Sequence, residues 1–132
     1  KRTNAELVKK GAYVVYDPNV ELDGILISCG SELAIALDTA AELQKYNVNV
    51  RVVSMPSMFL FDQQDEAYKE SVLPAKVTKR LAIEMGASMP WYKYASNVYG
   101  IDRFGVSAPI KHIHEYFGFT PENLAKVFVN IK

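Results

Sequence analysis

Three features of the chain predict an α/β fold: a three-layer, doubly wound sandwich around a five-stranded, mostly parallel sheet. The first is Ile25-Leu26-Ile27, an unbroken apolar run between Gly24 and the Gly30-Ser31 turn. Such a run suits a strand buried on both faces. The second is the change of period that follows. Leu33, Ala36, Leu37, Ala40 and Leu43 fall on one helical stripe, with Asp38, Glu42 and Lys45 mostly off it. The third is the return to a strand at Val48, Val50, Val52 and Val53, after Tyr46-Asn47 breaks the helix. Together these make a βαβ unit of about thirty residues, whose connection is expected to be right-handed.

Before this unit, Thr3-Asn4-Ala5-Glu6 has capping-box spacing and predicts a short helix over 4–10, with Gly11 as its C′ residue. Ala12 to Tyr16 reads as a strand closed by the turn cluster Asp17-Pro18-Asn19. Few residues separate it from the strand at Ile25, and a parallel crossover needs a dozen or more. The first strand is therefore expected antiparallel, at or near a sheet edge.

After the unit, Met55-Pro56-Ser57 ends the third strand, because proline has no N–H for the ladder. Met58 to Phe61 is an apolar run without alternation. It reads either as a buried loop plug or as an aromatic anchor for a neighbouring domain. Asp62 is expected to cap a helix over 63–72, with Asp65 and Glu66 complementing its dipole, and Leu73-Pro74 stops it. A fourth strand is predicted over Val77 to Ile83. Trp91, Tyr92 and Tyr94 crowd a short helix capped by Ser88 or Met89 around Pro90, a density that reads as core packing. Val98 to Ile101 is a brief fifth strand. Ser107 caps a helix over 108–117 that ends at Gly118. Thr120-Pro121-Glu122 opens a last helix, with Leu124, Val127, Phe128 and Ile131 on one face.

A chain of 132 residues with 49% apolar content has the size and composition of one folded domain, 1–132, with a single core. Fifteen basic and fifteen acidic side chains cancel, which argues against broad binding to nucleic acid or anionic membranes. No apolar run approaches the roughly 18 residues of a membrane span, and no signal peptide is visible. The single cysteine cannot form an internal disulfide, which fits a reducing, cytoplasmic compartment. The chain begins at Lys1 rather than Met and is expected to be a piece of a longer polypeptide.

Ligands of doubly wound sheets bind beyond the carboxyl ends of the parallel strands, here 28–32, 54–57, 84–88 and 102–107. The Gly30-Ser31 turn opens a helix whose free N–H groups suit an anion, so Gly30, Ser31 and Glu32 form the one candidate ligand or regulatory site. Against this, there is neither a Gly-x-Gly-x-x-Gly nor a phosphate-loop pattern, and Glu32 places a negative charge at the same end. The plainer reading has Gly30 making the turn, Ser31 capping the helix and Glu32 favouring its dipole. Cys29 lies where a helix N-terminus lowers a thiol pKa, yet no histidine is near in sequence, and it reads as a small buried residue. His112 and His114, two positions apart, face opposite sides of a helix and cannot share a metal. Glu84, closing an apolar strand, is either a base raised by burial or a carboxylate bonded to a backbone amide. No nucleophile, base and oxyanion donors assemble from these residues, so no catalytic, cofactor-binding or metal residue is assigned.

At Gly30-Ser31-Glu32, Val52-Val53-Ser54-Met55-Pro56-Ser57, Phe61-Asp62-Gln63-Gln64, and Tyr68 with Ser71-Val72-Leu73-Pro74, the chain resembles the C-terminal domain of transketolase. Phe104-Gly105-Val106-Ser107-Ala108-Pro109 carries the resemblance most specifically. Trp91-Tyr92-Lys93-Tyr94 and Phe117-Gly118-Phe119-Thr120-Pro121-Glu122-Asn123 continue it, in order, from about Gly11 to the end. The resemblance implies part of a cytoplasmic thiamine-diphosphate enzyme of the pentose phosphate pathway, which moves a two-carbon ketol unit between sugar phosphates. It implies that cofactor and Mg²⁺ or Ca²⁺ sit between the two preceding domains, across a homodimer interface. The Gly-Asp-Gly signature of that site is absent from this sequence, and the substrate-phosphate arginine would lie upstream of Lys1. No thiamine diphosphate is thus expected on this chain. The expected partners are the preceding domains and the second subunit, with Trp91 and the Phe59/Phe61 loop as contacts. Competing expectations are the equivalent domain of deoxyxylulose-phosphate synthase or a 2-oxo acid dehydrogenase, or a self-standing small-molecule-binding module using the Gly30-Ser31 turn.

Overall fold

Strand β2 (Gly24–Ser28) is buried along its whole length and forms the middle of the sheet. The structure is a computed structural model that describes residues 4–84, 89–100 and 118–131. The other strands are β1 (Tyr13–Tyr16), β3 (Val50–Ser54), β4 (Arg80–Glu84) and β5 (Asn97–Gly100), in the spatial order β1-β3-β2-β4-β5. β1 pairs antiparallel with β3, and the remaining neighbours are parallel. The edge position and direction of β1 are as the short connection requires.

In β2, Ile25 and Ile27 point to one face and Leu26 to the other, the period-2 alternation of a strand. On the Leu26 face lie α2 (Glu32–Gln44) and α5 (Pro121–Val129), packed side by side. Their stripes carry Ile35, Ala36, Ala40 and Leu43 from α2, and Leu124, Ala125 and Phe128 from α5. Asn47, at φ 62, turns the chain out of α2, and Val48 donates its N–H back to Leu43. That bond takes Val48 out of the sheet, so β3 begins at Val50 rather than at the expected Val48. Thr120 caps α5, its hydroxyl accepting from Asn123 N–H.

Among the described residues, the opposite face is covered by short pieces: α3 (Met58–Asp62), α4 (Glu66–Val72) and a 3₁₀ turn (Met89–Lys93). Here the structure corrects two expectations. Met58 to Phe61 is helical rather than a loop plug, because Ser57 Oγ accepts from Leu60 N–H and caps the turn. Asp62 therefore closes α3 instead of opening the next helix, and Asp65 caps α4 by accepting from Tyr68 N–H. β4 starts at Arg80, not Val77, since Val77 N–H is spent on Pro74 O in a turn. Helix α1 (Asn4–Val8) ends short of the expected residue 10 and leads to Gly11, at φ 84. A Cβ on Gly11 would lie 2.2 Å from Phe61 N, so this close approach of the chain to α3 requires glycine.

The expected cap at Thr3, the Ser88 cap, the segment 102–107, the helix over 108–117 and the two histidines lie outside the described residues. Among the described residues, no helix is long and apolar enough to cross a membrane.

Candidate functional site

Two parallel neighbours leave β2 in opposite directions, β3 on one side and β4 on the other. The carboxyl ends of β2 and β4 therefore flank the point where strand order reverses, the place where such sheets hold ligands. There the structure brings Cys29 beside Glu84, with the Gly30-Ser31-Glu32 turn following directly in the chain. Ser28 Oγ donates to Ile83 O at 2.8 Å, a buried bond that ties the two strand ends. Gly30, at φ 61, makes the turn.

Ser31 is not the expected cap. Its backbone is already helical (φ −65, ψ −24), no backbone N–H reaches its side chain, and its hydroxyl donates to Glu32 Oε1 at 2.9 Å. Glu32 is only 6% exposed, so its carboxylate is held at the first turn of α2, where it favours the helix dipole. A carboxylate stationed there competes with any incoming anion for the same N–H groups.

Cys29 Sγ donates to Glu84 Oε2 at 3.5 Å. Burial, then the Glu84 carboxylate and its hydrogen bond, then Glu32, push the thiol up to about 11. The lowering expected from a helix N-terminus is overridden, and Cys29 is a half-buried neutral thiol rather than a nucleophile. Glu84 takes this thiol as one partner. Two carboxylates beside one turn do not fit the diphosphate of thiamine diphosphate, so the residues here are unsuited to hold that cofactor. Among the described residues, no group of three or more His, Cys, Asp and Glu is placed to hold a metal ion.

Away from the strand ends, a second polar constellation joins α3 to the 3₁₀ turn, and sequence reading missed it. Asp62 accepts from Lys93 Nζ at 2.6 Å and from Tyr94 Oη at 2.8 Å. The Lys93 bond, and then the Tyr94 bond, hold Asp62 below the usual carboxylate range against the opposing push of desolvation. Burial, together with the Asp62 acceptor, pushes the Tyr94 phenol up. Phe61 stands edge-on to both Tyr68 and Tyr94, and Tyr68 Oη donates to Ala12 O. Trp91 is 5% exposed and belongs to the core, as the crowding of aromatics predicts, and Phe61, at 3%, joins it, so neither serves as a contact for a neighbour, whereas Phe59 on the same α3 is 70% exposed. Phe59 thus keeps the anchor reading that the other two lose.

These features define a doubly wound α/β domain with an antiparallel edge strand and, at the end of its central strand, a thiol flanked by two carboxylates. The family model of the transketolase-like TK C-terminal domain matches residues 11–120, and the chain belongs to that family. A probable transketolase of Streptococcus pneumoniae is 51% identical over 133 aligned positions, covering 98% of this chain and 20% of that protein. A transketolase of Staphylococcus epidermidis is 45% identical over 129 positions, covering 96% of this chain and 20% of its own length. A transketolase of Pichia stipitis solved in complex with sedoheptulose-7-phosphate superposes with a TM-score of 0.89 at 35% identity, covering 96% of this chain and 18% of that one. The chain therefore spans about a fifth of the length of the relatives it matches.

Proposed function

We propose that this chain is the C-terminal, non-catalytic domain of a thiamine-diphosphate-dependent transketolase, which transfers a two-carbon ketol unit from a ketose phosphate to an aldose phosphate. The observation that carries the reading is the pairing of near-complete coverage of this chain with a fifth of each relative's length. The sugar phosphate bound to the Pichia stipitis relative supports the substrate class. The crevice chemistry agrees: a neutral thiol and two carboxylates offer neither an activated nucleophile nor a cradle for diphosphate. The reaction and its cofactor with Mg²⁺ or Ca²⁺ are then assigned to the preceding domains, in a cytoplasmic homodimer. In this reading the Gly30-Ser31-Glu32 turn orders α2 and binds no regulatory ligand.

The test is calorimetry with thiamine diphosphate and Mg²⁺ on the full-length protein and on residues 1–132, beside a ketol-transfer assay on each. Binding and turnover by the full-length protein alone is the expected result. Micromolar cofactor binding by residues 1–132 would overturn the non-catalytic assignment. Heat of binding with inorganic phosphate that disappears in Gly30→Val would instead favour a ligand site at the turn.

A further inference from the structure

We propose that α3 presents Phe59 as the anchor by which this domain docks onto the segment of the full-length chain preceding Lys1. The inference rests on the C-terminal-domain reading above and names its contact surface. Three observations lead to it. The relatives are about five times the length of this chain, which matches their C-terminal domain, so the bulk of any intramolecular partner precedes it. The element nearest to that segment, α1, runs into Gly11, whose carbonyl accepts from Ser57 N–H at 3.0 Å. Gly11, at the end of the N-terminal stretch, thus lies directly against the cap of α3. Finally, α3 splits its aromatics: Phe61 enters the core while Phe59 stands 70% exposed, and Tyr92 of the adjoining 3₁₀ turn is 53% exposed.

The helix that carries the anchor is also pre-ordered. Asp62, one residue beyond Phe61, is fixed by Lys93 and Tyr94, and Gly11 packs against the backbone of α3. A rigid aromatic loses little conformational entropy on docking, which is why aromatic side chains concentrate at the cores of interfaces. An isolated exposed phenylalanine is unremarkable. One carried on a helix against which the N-terminal stretch packs has a defined occupant, the segment that leads into that stretch.

Tyr46, at the end of α2, supplies an internal control because it is 69% exposed, nearly the same as Phe59. In the full-length protein, Phe59→Cys and Tyr46→Cys are alkylated with iodoacetamide, and the modified peptides are read by mass spectrometry. Docking predicts residue 59 labelled at least about tenfold more slowly than residue 46. Equal rates, or faster labelling at 59, would overturn the inference. Hydroxyl-radical footprinting of the unsubstituted full-length protein reads the same contrast without any variant: Phe59 protected and Tyr46 oxidised supports docking, both oxidised alike refutes it. Failure of the underlying reading looks different, as an absence of ketol transfer by the full-length protein whatever the labelling ratio.

Discussion

The two faces of the sheet are covered in different ways. On the Leu26 face, two regular helices lay aliphatic stripes and Phe128 onto the strands, and α5 is capped locally by Thr120. On the Ile25 face, the described residues contribute three pieces of five to seven residues, around Phe61, Trp91 and Tyr94. Helices that short do not persist on their own stripe, because nucleation costs more than a turn or two returns. They are held by polar ties reaching far along the chain, Asp62 to Lys93, Tyr68 to Ala12 and Arg80 to four carbonyls. The lesson is that the regular face depends on apolar volume and the irregular face on satisfied backbone groups.

Substitutions on each face sharpen that contrast. The largest loss is expected for Phe128→Ala, where a fully buried ring leaves a cavity between α5 and the sheet, costing about 3–5 kcal/mol by urea unfolding. A loss under about 1 kcal/mol would show that the helix pair does not carry the regular face. Arg80→Met comes next. Its guanidinium donates to Leu73, Pro74, Val77 and Tyr94 carbonyls, and the apolar replacement leaves them unpaired at a cost of about 2–3 kcal/mol. Lysine should not rescue it, lacking the planar fork; full rescue by Arg80→Lys would mean charge rather than geometry matters.

Asp62→Asn is expected to cost about 1 kcal/mol at neutral pH, since the carboxylate is a third exposed and solvent screens it. Its folded pKa is depressed, so the contribution is present above the unfolded value of about 3.9 and is lost as pH falls through the folded one. Unfolding curves of Asp62→Asn and the unsubstituted protein should therefore converge below about pH 4 and stay parallel above it. A gap that widens in acid would contradict the ion-pair account. The smallest effect belongs to Ser31→Ala, within about 0.5 kcal/mol, beside about 1 kcal/mol for Thr120→Ala, which removes a real cap. Equal losses at the two positions would restore the capping role that the geometry denies to Ser31.

What could be read ahead of the structure follows the same division. Leu33 to Leu43 and Leu124 to Ile131 announce their helices because 3.6-residue periodicity over several turns has no other use. The short gap before Ile25 announces an antiparallel edge strand for a purely geometric reason. The start of α3 at Met58 was not legible, since four apolar residues have no period and the deciding signal is one hydroxyl on Ser57. At the strand ends, Gly30, Ser31 and Glu32 were found as neighbours, but not the approach of Glu84, which is 55 residues from Cys29.

By itself the sequence determined the layers, the strand directions and the family, because these rest on periodicity, loop length and ordered motifs within a few residues of each other. Only the tertiary structure decided that the Cys29 thiol stays protonated, that Phe61 turns inward, and that Phe59 remains outside. Those outcomes depend on which distant side chain supplies a charge, a hydrogen bond or a cover, and local sequence carries no record of that neighbour.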